Sequence, residues 1–167
     1  MRMRVKAMVL AGAVLGVLAV TPEVVAAEMP AGSLEKLVGL YVPIQEALAG
    51  DSVAVIAEQT AKVAVAAEAI LKTKGEKPTV DAIEDLEAVV VAAKAMKAAE
   101  IPALREQFKA LSHAVGRLVE RQAVAGHGIY YCPMADAYWV QKSGAVKNPY
   151  YGAKMLGCGE VVAKVED

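Results

Sequence analysis

Apolar residues recur along most of this chain at steps of three and four, the spacing that lays one buried stripe along a helix. The first stripe is Leu34, Leu37, Tyr41, Ile44 and Leu48. It ends at Gly50, with Pro43 inside it as an expected kink or break. A second stripe runs Val53, Ile56, Thr60, Val63, Ala67 and Ile70, with Asp51 as the expected N-cap and Lys72 to Gly75 as the stop. A third follows Pro78, with Thr79 or Asp81 as cap and Asp81 and Glu84 at capping-box spacing; its stripe is Ile83, Leu86, Val90 and Ala93, Met96 lies beside it, and it ends near Glu100. The fourth is the cleanest, with Pro102 in its first turn and Ile101, Leu104, Phe108, Leu111, Val115 and Leu118 along one face. Four such helices joined by short turns predict a mainly α fold, an up-and-down antiparallel four-helix bundle.

After Ala125 the period disappears. Residues 126–167 hold five of the six tyrosines, the one tryptophan and both cysteines, so the hydrophobic bulk that the alanine-rich helices lack is concentrated there. Glycines and prolines break this region into turns, with extended pieces expected at Ile129 to Tyr131, Tyr138 to Gln141 and Glu160 to Val165. The expectation is an aromatic, glycine-rich cap of turns and short strands, packed on the bundle through Trp139 and the tyrosines.

The N-terminus changes the compartment. Arg2, Arg4 and Lys6 precede an apolar run of 14 residues, Ala7 to Val20, followed by small residues up to Ala27. That is the pattern of a secretory signal peptide, too short to span a bilayer. The expected organisation is therefore residues 1–27 as signal peptide, 28–125 as bundle and 126–167 as cap, with the cap part of the same domain. The product is expected in a periplasm or outside the cell, without membrane insertion. Residues 28–167 carry 15 basic against 18 acidic side chains, a balance that offers nucleic acid no basic patch.

The chemistry is in the sulfur. Cys132-x-Met134 and Met155-x-x-Cys158 put two thiols and two thioethers on segments bounded by Pro and Gly. Soft ligands of this kind select Cu(I), and Ag(I) by the same logic. Two residues apart on an extended segment point to one side, and three apart in a turn also converge, so each pair can present two ligands to one ion. His127 is a further candidate ligand. The plainer reading is a Cys132 to Cys158 disulfide, which in an exported protein would close a loop of about 26 residues and stabilise by roughly 3 kcal/mol, leaving both methionines as filler. His113 lies off the main stripe of the fourth helix, and Glu84 and Glu87 lie on a solvated face. No nucleophile, phosphate loop or haem motif is present, and no catalytic role is expected.

The stretch "YYCPMADAYWVQKSGAVKNPYYGAKMLGCGEV" resembles the C-terminal signature of a bacterial domain family of unknown function. The family's pattern is Cys-Pro-Met-Ala, then Trp, then Asn-Pro-Tyr-Tyr/Phe-Gly, then Met-Leu-x-Cys-Gly. It falls on Cys132, Pro133 and Met134, on Trp139, on Asn148, Pro149, Tyr150 and Gly152, and on Met155, Leu156, Cys158 and Gly159. "YVPIQEALAGDS" and "LREQFKALSHAVGRLV" are similar to the family's first and last helices. The family occurs alone in exported proteins and at the C-terminus of some periplasmic adaptor subunits of copper and heavy-metal efflux pumps. The resemblance implies a soft-metal site and a partner in a metal efflux system.

Overall fold

The computed structural model describes residues 29–75 and 77–164. The signal-peptide reading of residues 1–27 and the last residue of the third expected strand, Val165, lie outside them. Four helices come first, α1 (Ser33–Ala49), α2 (Ile56–Leu71), α3 (Val80–Ala95) and α4 (Ile101–Arg121). Three strands follow, β1 (His127–Cys132), β2 (Ala137–Lys142) and β3 (Glu160–Lys164), with one 3-10 turn at Gly152–Lys154. The protein is mainly α with a small antiparallel sheet in the order β2-β1-β3. Each helix packs on the next, α1 also touches α4, and β2 lies against both of these. Among the described residues no helix is long and apolar enough to cross a membrane.

The stripes of the first and fourth helices lie in the core. Leu34, Leu37, Tyr41, Ile44 and Leu48 are all fully buried, as are Phe108, Leu111, Val115 and Leu118. α1 runs through Pro43 without interruption. Val38, Tyr41, Val42 and Ile44 are buried on both sides of it, and their burial outweighs the one helix bond a proline removes.

Two helix ends, the start of α2 and the end of α3, differ from the local pattern, and at the start of α3 the structure takes Thr79 of the two expected caps. α2 starts at Ile56, leaving Val53 exposed, and Asp51 does not cap it. Asp51 takes a left-handed backbone, φ 53°, and turns its carboxylate to Arg105 Nη2 at 2.6 Å and to the N–H of Ala153 at 2.9 Å. α3 is capped by Thr79, whose hydroxyl accepts the N–H of Ala82; Asp81 sits inside the first turn and pairs with Arg121 at 3.1 Å. α3 ends at Ala95, short of Glu100, because Gln107 Oε1 accepts the N–H groups of Lys97 and Ala98.

The buried face of α3 is also rotated from the expected one. Val89 is in the core while Ile83 and Val90 are half-buried, and Asp85 points inward with a side chain only 5 % exposed. Arg117 and Arg121 of α4 each donate an Nε–H to one of its oxygens. Asp85→Ala is expected to lower stability by about 2 kcal/mol, below the full cost of breaking a buried pair because both arginines reach solvent. A urea midpoint that did not move would refute this.

Candidate functional site

The region after the helices is built on a hairpin. β1 and β2 pair Tyr130 with Trp139, Tyr131 with Tyr138 and Cys132 with Ala137. Alternation then puts Tyr130, Cys132, Ala137 and Trp139 on one face and the two remaining tyrosines on the other. The first face is buried by an aromatic chain reaching into the helices: Tyr130 stacks on Trp139 (5.5 Å), Trp139 meets Tyr150 edge-on (6.0 Å), Tyr150 meets Phe108 (6.0 Å) and Phe108 stacks on Tyr41 (5.4 Å). Trp139 is fully buried, and its indole N–H donates to Gln141 Oε1.

Tyr41 fixes the contact between the helices and the sheet. Its hydroxyl shares a hydrogen bond with Ser112 and accepts the backbone N–H of Val140 at 3.3 Å. Burial lifts the Tyr41 phenol well above its ordinary value, and burial does the same to Tyr150, whose hydroxyl donates to the Tyr138 carbonyl. A phenol that ionises only in the unfolded chain holds its proton more tightly when folded. Its contribution is therefore intact below about pH 10 and lost as the pH rises further. Thermal midpoints are expected to fall as the pH rises above about 10, the ordinary phenol value, towards the raised folded value. Tyr41→Phe or Tyr150→Phe should flatten that fall.

The segment from Asn148 to Gly159 folds back so that both cysteines meet. Asn148 is fully buried and makes the fold-back possible: its Oδ1 accepts the N–H groups of Tyr150 (2.8 Å) and Tyr151 (3.2 Å), and its Nδ2 donates to the Cys158 carbonyl at 2.6 Å. Its own N–H donates to Leu156 O at 2.8 Å. Buried Pro149 offers its carbonyl to Arg105 Nε at 2.8 Å. Gly152 has φ +56°, and a Cβ there would sit within the radii of Asp51 Oδ1 and Arg105 Nη2. Gly159, φ +142°, lets the backbone lie on Trp139; a Cβ would be 2.5 Å from that ring and 3.0 Å from the Tyr131 carbonyl.

The outcome is two free thiols with Sγ atoms 3.9 Å apart, Cys132 buried and Cys158 partly exposed. Burial pushes the Cys158 thiol up, and the hydrogen bond and charge of Cys132 push the same way. The methionines are at the same end of the sheet. Tyr151 donates its hydroxyl to the Met134 carbonyl at 3.2 Å, and the Cys158 N–H donates to the Met155 carbonyl at 2.9 Å.

Their side chains are placed differently from the expectation. Cys132 is the last residue of β1, and residues 133–136 form the hairpin turn, closed by Asp136 at φ 46°. Met134 is therefore not on an extended segment with Cys132, and it is 60 % exposed. Met155 is half-buried. His127 begins β1, five residues from Cys132 and thus about 16 Å along the strand, so one ion does not reach both. Its Nδ1 faces the Ala125 carbonyl at 2.8 Å. His113 is exposed, 3.2 Å from Arg117 Nη1, and shares with Ile129, Tyr138 and Val162 a groove between α4 and the sheet. Among the described residues no group of three or more His, Cys, Asp or Glu is placed to hold a metal ion.

Local patterns did not reveal the polar residues that hold the cap down. Gln45 donates to the Lys147 carbonyl at 2.6 Å, and Gln141 bridges Trp139, the Lys147 N–H and the Ala145 carbonyl. Gln45 sits among the apolar residues of α1 with an amide that no helix neighbour uses, the one signal the sequence offered. No family model, curated protein or solved structure matches this chain.

Proposed function

We propose that the protein is an exported, non-enzymatic carrier of a soft cation, Cu(I) or Ag(I), acting in sequestration or in delivery to a periplasmic metal efflux system. The observation that carries the reading is the pair of free thiols 3.9 Å apart. Two thiolates each about 2.3 Å from a shared ion are at most about 4.6 Å apart, so this pair fits one ion without backbone movement. Thiolates prefer Cu(I), and a site with two sulfurs and, among the described residues, no third His, Cys or carboxylate is poorly suited to zinc, which takes four such ligands. Met155 and Met134 would act as labile outer thioethers, which favour release. The resemblance of the Cys-Pro-Met and Met-Leu-x-Cys-Gly elements to the efflux-associated family supports the same direction. In this reading the helices form an up-and-down bundle that serves as a rigid platform for the cap.

Anaerobically reduced protein titrated with Cu(I) against a competing chelator is expected to take up one ion per chain. Cys132→Ser or Cys158→Ser should abolish uptake, and Met134→Leu or Met155→Leu should weaken it about tenfold each, as loss of an outer ligand does. Absence of uptake by the reduced wild type would overturn the proposal. The same distance favours a second reading, a disulfide staple in a structural or protein-interaction module. Its signature is a native mass lower by two hydrogens together with no copper uptake after mild reduction.

A further inference from the structure

The two thiols are not equivalent, and the difference has a direction. Cys132 is fully buried at the end of β1 beneath the aromatic layer, paired with Ala137 across the hairpin. Cys158 is partly exposed, next to exposed Leu156 and Gly157. Beyond its two chain neighbours, nothing lies within 4 Å of where a Cβ would stand on Gly157, so the residue before Cys158 faces open space. Asn148 fixes the Cys158 carbonyl, which holds its thiol against Cys132 while leaving the outer side free.

Building on the carrier reading above, we infer that Cys158 is the exchange ligand and Cys132 the retaining ligand, and that the ion arrives from a donor that presents Cu(I) on thiolates. In the first step the Cys158 sulfur bonds to copper and one donor sulfur leaves, taking the Cys158 proton as a free thiol. In the second the Cys132 sulfur displaces the other donor sulfur, which leaves with the Cys132 proton. Copper stays Cu(I) throughout, two protein thiols become two thiolates, and two donor thiolates become thiols.

The probe is Cu(I) bound by glutathione, followed by native mass spectrometry. The wild type should carry one copper and no glutathione. Cys132→Ser should trap copper with one glutathione still attached, and Cys158→Ser should show no such adduct. Equal adduct on both variants would overturn the assignment while leaving the carrier reading intact; a wild type that takes up no copper would overturn both. Iodoacetamide on the metal-free wild type reads the same asymmetry without any variant. Cys158 should react about tenfold or more faster than Cys132, as thiol access dictates, and equal rates would sink the assignment.

Discussion

Asn148→Ala is expected to lower the stability of the protein by about 4 kcal/mol and to separate the two thiols. The side chain satisfies two buried N–H groups and the Cys158 carbonyl, and each orphaned group costs about 1 to 3 kcal/mol. No other bond of Asn148 reaches Cys158, so the Met155 to Gly159 segment keeps only the backbone bond from the Asn148 N–H to the Leu156 carbonyl. Asn148→Asp is the informative companion. It keeps the oxygen that accepts both N–H groups but sets its other carboxylate oxygen against the Cys158 carbonyl, so it should also release that segment while retaining the turn at Tyr150. Urea denaturation gives the stability, and the Ellman reaction rate of Cys158 gives the release. Wild-type thiol reactivity in Asn148→Ala would show that Asn148 does not position Cys158.

The second large effect is expected at Gly152. Alanine there costs about 1 to 2 kcal/mol for the left-handed backbone, and its methyl would displace Asp51 and Arg105. Arg105 bonds to Asp51, to the Leu48 carbonyl and to the Pro149 carbonyl, joining the end of α1, α4 and the cap. A total near 3 kcal/mol follows, or roughly a 10 °C lower midpoint for a chain of this size. The mechanism predicts non-additivity: in an Asp51→Ala background the added methyl meets one fewer group, and Gly152→Ala should cost clearly less. An equal cost in both backgrounds would reduce the effect to backbone strain alone.

How much of this could be read from the sequence depended on how far apart the partners are. The α1 and α4 stripes were legible because period alone places Leu34 to Leu48 and Leu104 to Leu118 on one face. Helix ends were not, where a distant side chain decides them. Asp51 has the look of a cap, but its partners Arg105 and Ala153 are 54 and 102 residues away. Asp85 reads as a surface acid until two arginines of α4 are placed beside it. For the candidate site, composition flagged the sulfur residues and the strand pieces around them. It could not show that the turn after Cys132 takes Met134 out of the strand direction. Nor could it show that Cys132 and Cys158 would meet with one thiol covered and the other open.

The bond from Val140 to the hydroxyl of Tyr41 joins residues 99 positions apart. At about 5 to 20 residues per second of synthesis, the first helix exists for roughly 5 to 20 s before the strand that covers it has been made. During that interval α1 can pair with α2, but the Tyr41 hydroxyl has no Val140 to meet and the face that receives β2 is open. Closing so long a loop is slow relative to local helix formation. The aromatic strands are thus the last piece to dock, and until they do, the nascent chain depends on whatever shields its first helix.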